Sequence, residues 1–112
     1  MSNEVPDVDV ARAITMLARD DVGLLDVRED DEWAAGHAPD AQHVALGDLD
    51  PSAFTGRGTV VVTCRSGNRS RKAVATLVGA GVDAVNLDGG MKAWAAAGHP
   101  LVRDDGTPGT VA

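Results

Sequence analysis

A run of β-branched residues leads directly into the only cysteine of the chain at residues 59–70, which read TVVVTCRSGNRS. β-Branched side chains pack well on a pleated surface, and a short strand without polar alternation is typical of a parallel sheet buried on both faces. The segment TVVVT therefore predicts a central strand over residues 59–63. The residues from Cys64 onward predict a polar loop, followed by a helix that begins near Asn68 or Arg69.

Regular elements extend outward from this stretch in both directions. Apolar residues recur at helical spacing over residues 10–19 and 73–78, and Asp9 can cap the first of these helices. Apolar runs at residues 22–27 and 84–87 predict strands, while residues 30–32 and 91–97 predict short helices. Because strands alternate with helices, we expect right-handed crossovers and a parallel sheet, which is the α/β class.

Length and composition indicate one folded domain. A chain of 112 residues with 44% hydrophobic residues can bury one core. We expect a single domain over residues 1–102 and a loose C-terminal tail over residues 103–112. The tail reads RDDGTPGTVA, which is rich in turn formers and has no apolar periodicity.

The overall charge argues against several classes of partner. The 17 acidic residues outnumber the 10 Lys and Arg, so the net charge of −7 repels nucleic acid. The acidic start, MSNEVPDVDV, has no apolar segment of a secretion signal, and no apolar stretch has the length of a membrane span. A lone cysteine cannot form an internal disulfide, so we expect a cytoplasmic protein without membrane or nucleic-acid partners.

Basic residues nevertheless gather around the cysteine. No Asp or Glu occurs between Asp50 and Asp83, whereas half of the Lys and Arg residues fall there. These five are Arg57, Arg65, Arg69, Arg71 and Lys72. A solvated helix face is the simpler explanation of such a cluster, but four of the five lie within eight residues of Cys64. The cluster therefore points to a site that holds an anion.

The position of Cys64 predicts a reactive thiolate. Ligands of open α/β sheets bind at the carboxyl ends of strands, where backbone N–H groups and helix N-termini favour negative charge. Nearby cations and a helix N-terminus also lower the pKa of a cysteine. Gly67 allows a positive φ in the loop, and Ser66 and Ser70 add hydroxyl donors. An inert buried cysteine is the alternative, but it requires none of these features.

Three motifs in order resemble a known family. They are LLDVRE at residues 24–29 with EW at 32–33 and GH at 36–37, then CRSGNRS at 64–70, then LDGGM at 87–91 with Trp94, Gly98 and Pro100. Together they resemble the signatures of rhodanese domains from about Val8 to Val102. The resemblance implies a rhodanese-like fold, a central parallel sheet of five strands flanked by helices on both faces.

The resemblance also implies a sulfurtransferase of the thiosulfate type. Cys64 would take the outer sulfur of thiosulfate, or of another persulfide donor, and release sulfite. The resulting Cys64 persulfide would then pass its sulfur to a thiol or to cyanide, which divides one transfer into two attacks. No cofactor and no metal are expected.

The family pattern assigns roles to individual residues. Cys64 is the expected nucleophile, and the substrate-binding residues are Arg65, Ser66, Gly67, Asn68, Arg69 and Ser70. The backbone N–H groups of this loop would hold the persulfide, and the guanidinium groups of Arg65 and Arg69 would bind the dianionic donor. Structural support of the site, rather than catalysis, is expected of Asp26, Arg28 and His37. Trp33 and Trp94 are expected as core anchors.

Two alternatives remain open. The same loop would serve a sulfur-relay or sensing module that receives persulfide from one protein and delivers it to another. Phosphatases and arsenate reductases of related fold place an arginine after five residues that follow the cysteine, whereas Ser70 stands there in this chain and Arg69 comes one position earlier. The shorter loop encloses less space, which suits a sulfur atom on the cysteine better than a tetrahedral phosphate.

Overall fold

A computed structural model describes residues 5–112 and contains a parallel five-stranded sheet with strand order β1-β5-β4-β2-β3. All four neighbouring pairs are parallel, which confirms the predicted α/β class and the central position of the TVVVT strand. The strands are β1 (Asp7–Val8), β2 (Val22–Asp26), β3 (Gln42–His43), β4 (Thr59–Thr63) and β5 (Ala84–Leu87). Residues 1–4, which belong to the predicted domain, lie outside the described residues.

The helices lie close to their predicted positions. They are α1 (Val10–Leu17), α2 (Asp30–Ala35), α3 (Asn68–Gly79) and α4 (Gly90–Ala96), with 3-10 turns at Leu46–Asp48 and Pro51–Phe54. The predicted cap is confirmed, because the side chain of Asp9 accepts a hydrogen bond from the N–H of Arg12 at 2.8 Å. No helix among residues 5–112 has both the length and the apolar content required to cross a membrane.

The core occupies both faces of the sheet. On β4, Val60 and Val62 pack in a cluster with Leu77 of α3, whereas Val61 packs in a second cluster with residues of α1 and α4, including Trp94. Side chains alternate across a strand, so both faces of β4 are covered by helices. The expected rhodanese-like arrangement, with helices on both faces, is confirmed. This packing holds the carboxyl end of β4, and with it Cys64, in the interior.

The last ten residues, predicted to form a loose tail, are mostly exposed, and some of them contact the rest of the domain. Val102, which precedes the tail, pairs both with His37 and with Pro108 of the tail, and the N–H of Thr110 donates a hydrogen bond to the carbonyl of Ala35 at 2.9 Å. The crossing is close, since a Cβ on Gly36 would lie 2.5 Å from backbone atoms of Thr110. Ala35, the partner of Thr110, lies far away in sequence, so the periodicity of the tail itself does not predict this contact.

Candidate active site

Cys64 lies at the carboxyl end of β4 and is buried, with 1% of its surface exposed. Because β4 is central in the sheet, the segments that follow its neighbours flank the cysteine. The N–H of Met91 donates a hydrogen bond to the carbonyl of Cys64 at 2.8 Å, and the N–H of Lys92 donates to the carbonyl of Arg65 at 3.0 Å. The start of α4 thus anchors the start of the loop.

The sulfur of Cys64 accepts hydrogen bonds from the loop and from the first turn of α3. The backbone N–H of Gly67 donates from 3.1 Å, the N–H of Ser70 from 3.4 Å and the hydroxyl of Ser70 from 3.3 Å. Gly67 adopts φ +103°, which a residue with a Cβ rarely adopts, and its N–H points toward the sulfur. The loop is therefore shaped around the sulfur atom.

These donors change the pKa of the thiol. Burial has the largest single influence and acts to raise the pKa of Cys64, but the hydrogen bonds from the Ser70 hydroxyl and from the N–H groups of Ser70, Gly67 and Ser66 outweigh it. The pKa of Cys64 is therefore lowered, in the direction expected from the sequence. A thiolate surrounded by neutral donors can attack an electrophilic sulfur and can accept negative charge back when it leaves.

The two arginines of the loop have different partners. Arg69 donates from Nη1 and Nη2 to the two carboxylate oxygens of Glu32, at 2.6 and 2.8 Å. These hydrogen bonds are the main cause that lowers the pKa of Glu32 to about 2, and they also raise the pKa of Arg69. Arg65 is exposed and donates from Nε to the main-chain oxygen of Ala112 at 2.9 Å. An anion at the loop would thus compete with Glu32 for Arg69.

The other loop residues divide into two groups. Gly67 and Ser70 are buried against the sulfur, whereas the side chains of Ser66 and Asn68 are exposed. Ser66 acts on Cys64 through its backbone N–H, and Asn68 begins α3. The structure therefore brings the backbone of the predicted loop to the sulfur and leaves several of its side chains at the rim.

Asp26, Arg28 and His37 form a buried brace beside the site. Arg28 is fully buried and donates from Nε and Nη2 to the carboxylate of Asp26 over 2.8–3.0 Å, and from Nη2 to the carbonyl of Gly36 at 2.7 Å. Within residues 5–112, Nη1 of Arg28 has no hydrogen-bond partner. The ring of His37 bonds through Nδ1 with the carbonyl of Trp33 at 2.9 Å. These contacts suit the structural role expected of the three residues.

The two tryptophans have different environments. Trp94 is buried in the core, as predicted. Trp33 is only half-buried and stacks with two imidazole rings, whose centroids lie 3.6 Å (His37) and 4.8 Å (His43) from its own. His43, which has no motif partner in the sequence, also contacts the carbonyl of Arg28 through Nε2 at 2.7 Å. Trp33 is thus a stacking partner rather than a fully buried anchor.

The sequence interpretation did not identify two residues behind the sulfur. Asn86 on β5 is buried, and its Oδ1 accepts a hydrogen bond from the hydroxyl of Ser70. Its Nδ2 donates to Asp7 at 2.9 Å, and Asp7 also accepts from Arg71 at 2.6–2.7 Å. A polar residue inside the apolar run AVNL is the one signal in the sequence that could have indicated Asn86.

A protein-family model matches most of the domain. The sequence model described as "Rhodanese-like domain" matches residues 9–97, a range that extends from the cap of α1 to the end of α4. The chain belongs to this family. The resemblance that the three motifs indicate is thereby confirmed.

Relatives of this rhodanese-like domain include an uncharacterised protein of Synechocystis sp., 40% identical over 94 residues. The match covers 80% of this chain and 52% of that protein, so the chain spans about half the length of this relative. A protein of Allochromatium vinosum named sulfurtransferase is 37% identical over 110 residues, which are 95% of this chain and 100% of that protein.

A solved structure agrees with the fold of the rhodanese-like domain. It is the crystal structure of thiosulfate sulfurtransferase from Pseudomonas aeruginosa, with a TM-score of 0.80 and 28% identity. The match covers 89% of this chain and 20% of that chain. Together with the sulfurtransferase of Allochromatium vinosum, it supports a transferase of the rhodanese family.

Proposed function

We propose that this rhodanese-like domain is a sulfurtransferase that carries the outer sulfur of thiosulfate, or of a persulfide donor, as a persulfide on Cys64. A thiol or cyanide is the proposed acceptor. The observation that carries the proposal is the sulfur of Cys64, which is buried among converging N–H and hydroxyl donors that lower its pKa. The sulfurtransferase name of a relative that matches 95% of this chain over its own full length supports the same reaction class.

The proposed reaction has two balanced steps. The thiolate of Cys64 attacks the outer sulfur of thiosulfate, the sulfur–sulfur bond of the donor breaks, and its electron pair leaves with sulfite. A thiolate acceptor then attacks the outer sulfur of the persulfide, and the electron pair of the breaking bond returns to the sulfur of Cys64. The N–H groups of the loop are suited to hold the charged outer sulfur between the two steps.

Arg65 is the more available of the two proposed donor-binding arginines. It is exposed and gives one guanidinium nitrogen to a main-chain oxygen, whereas Arg69 gives two nitrogens to the carboxylate of Glu32. A guanidinium offers five N–H donors, so Arg65 can keep its main-chain contact and still bind an oxyanion. We therefore assign Arg65 the larger share of thiosulfate binding.

Intact-mass measurement after incubation with thiosulfate tests the proposed function. We expect a gain of one sulfur atom in the unmodified protein, loss of that gain after treatment with a thiol, and no gain in Cys64→Ala. A protein that gains no sulfur from thiosulfate, although iodoacetamide still alkylates Cys64, would overturn direct use of this donor. A parallel incubation uses a small-molecule persulfide in place of thiosulfate. If only this incubation adds a sulfur to the protein, the result would support the sulfur-relay alternative.

Steady-state kinetics test the assignment of Arg65. Arg65→Ala should raise KM for thiosulfate by about tenfold, because a charge-assisted hydrogen bond to the donor is lost. Arg57→Ala is the matched control, since Arg57 is exposed and precedes β4 at the opposite end of the strand from Cys64. Equal KM values for the two variants would remove Arg65 from the donor site.

A further inference from the structure

A continuous chain of hydrogen bonds leads from the surface to the sulfur of Cys64. Arg71 donates to the carboxylate of Asp7, which accepts from Nδ2 of Asn86 at 2.9 Å. Oδ1 of Asn86 accepts from the hydroxyl of Ser70, which also lies 3.3 Å from the sulfur. Ser70 and Asn86 are buried, so water has little access to the hydrogen bonds between them and the sulfur.

The hydroxyl of Ser70 faces two acceptors. A hydroxyl group has one proton to donate, and here Oδ1 of Asn86 and the sulfur of Cys64 both lie within hydrogen-bond distance. The proton can therefore serve one of them at a time. When Cys64 is a thiol, its S–H can donate to the oxygen of Ser70, whereas a thiolate requires the proton of the hydroxyl.

Asp7 determines which atom of Asn86 faces Ser70. An ionised carboxylate only accepts hydrogen bonds, so the amide nitrogen of Asn86 must face Asp7 and the amide oxygen must face Ser70. The opposite orientation would place two oxygens against each other. Asp7 stays ionised because the hydrogen bond from Asn86 and the ion pair with Arg71 lower its pKa. Asp7, at the surface, thus keeps the amide oxygen of Asn86 directed at Ser70, where it competes for the hydroxyl proton.

We infer that Asp7 and Asn86 are positioning residues that hold the hydroxyl proton of Ser70 away from Cys64 until its sulfur becomes a thiolate. The inference rests on the proposed function for the persulfide state, in which the bridging sulfur of Cys64 is neutral and needs no proton from Ser70. When an acceptor takes the outer sulfur, the electron pair returns to the sulfur of Cys64. The hydroxyl of Ser70 then rotates toward the new charge, with no proton transferred.

This arrangement has a measurable consequence for the free thiol. The amide oxygen of Asn86 competes with the thiolate for one proton, so the pair of Asp7 and Asn86 holds the pKa of Cys64 above the value that Ser70 would set without competition. Removal of the competing oxygen should increase the fraction of thiolate. A side chain that served only to pack the core would not act on the thiol through Ser70.

The pH dependence of alkylation by iodoacetamide measures this effect without any sulfur donor. Asn86→Leu, which is similar in size and lacks both amide groups, should shift the alkylation profile toward lower pH by about one unit. Ser70→Ala should shift it toward higher pH, because hydroxyl donation is lost. In the Ser70→Ala background, Asn86→Leu should produce no further shift, since the proton for which it competes is absent.

Substitutions at two residues outside the buried core keep the test independent of core packing. Asp7→Asn lets the amide of Asn86 turn over and donate to Ser70, so a smaller shift toward lower pH is expected, again absent in the Ser70→Ala background. Arg71→Gln removes the neighbouring cation but retains the carboxylate of Asp7, so no shift toward lower pH is expected. The charge of Arg65 in the loop and the ion pair of Arg69 and Glu32 beside it are unchanged in all variants.

The outcomes separate this inference from the proposed function. Unchanged profiles in Asn86→Leu and Asp7→Asn would overturn the inference, and so would shifts that persist in full in the Ser70→Ala background. If Asn86→Leu does not fold, Asp7→Asn decides by itself. The alkylation assay reads the thiol alone, so the absence of a sulfur adduct with thiosulfate would contradict the proposed function without changing this result.

Discussion

The carboxyl ends of the adjacent strands β2 and β4 use polar groups in opposite ways. After β2, the charges of Asp26 and Arg28 are buried against each other, and Arg28 also donates to the carbonyl of Gly36. After β4, the sulfur of Cys64 is equally buried but accepts hydrogen bonds from backbone N–H groups and the hydroxyl of Ser70. At the end of β2 two opposite charges are paired with each other. At the end of β4 the protein surrounds a sulfur atom that can be neutral or negatively charged.

The difference shows how one edge of a sheet can hold both a fixed ion pair and a site suited to a changing charge. A buried ion pair holds a fixed geometry, but each of its members requires the other and is unavailable to a ligand. Oriented N–H dipoles can stabilise negative charge when it develops without reorganisation of the site. The brace of Asp26 and Arg28 therefore suits support, and the loop of Cys64 suits chemistry.

The largest expected effect lies at the end of β2. Arg28→Met should reduce the free energy of unfolding by about 3–5 kcal/mol, because it leaves the carboxylate of Asp26 buried without its partner. Urea unfolding followed by circular dichroism measures the loss. Arg12→Met, at an exposed position of α1, should change stability by less than about 0.5 kcal/mol.

A double variant makes this test specific to the ion pair. Asp26→Leu combined with Arg28→Met should recover part of the lost stability, since no unpaired charge remains buried. If Arg28→Met lowers the free energy of unfolding by less than about 1 kcal/mol, the ion pair at the end of β2 does not have the structural role assigned to it. The contrast with the Cys64 loop at the end of β4 would then not hold.

An intermediate effect is expected for the ion pair that connects the two ends. Glu32→Gln retains an oxygen for the cap contact with the N–H of Glu29 but loses the charge that binds Arg69, so stability at neutral pH should fall by about 1–2 kcal/mol. Asp31→Asn, exposed in the same turn of α2, is the matched control.

The pH dependence of that loss has a definite sign. In the folded state the pKa of Glu32 lies at about 2, below its ordinary value of 4.5, so its stabilisation is fully present above pH 4.5. As the pH falls from 4.5 through 2, the stabilisation is lost, and the stabilities of Glu32→Gln and the unmodified protein should converge. A difference that stays constant over this range, measured by urea unfolding, would show that the ion pair is not its cause.

The smallest effect on stability, with the clearest effect on the thiol, is expected within the Cys64 loop. At φ +103°, Gly67→Ala should lose about 1 kcal/mol through backbone strain alone, because the added Cβ would lie 3.5 Å or more from the nearest atoms outside its own chain neighbours. The strain should move its N–H away from the sulfur and shift the alkylation profile of Cys64 toward higher pH.

Gly81→Ala provides the matched control. Gly81 has φ +86° with open space around the added Cβ, so the strain is similar but lies at the far end of α3. It should lose similar stability and leave the alkylation profile unchanged. Identical alkylation profiles for the two glycine variants would show that the N–H of Gly67 does not tune the thiol.

Local patterns in the sequence predicted the elements that carry the site. Strand β4, the polar loop and the start of α3 are adjacent along the chain, so β-branched composition, a glycine and a helical stripe were sufficient to place Cys64 at a strand end. Strands β1 and β3 have two residues each, too few for any periodicity, and their number followed from the family resemblance. Their positions depend on pairing with β5 and β2.

The sequence by itself determined the α/β class, the family motifs and the position of Cys64 at a strand end, because each depends on residues close together along the chain. Only the tertiary structure decided the partners of the site, which lie far apart in sequence. Arg69 meets Glu32 across 37 positions, and Asn86 meets Asp7 across 79. Those contacts arise from the strand order β1-β5-β4-β2-β3, and long-range pairing of this kind leaves no trace in local periodicity.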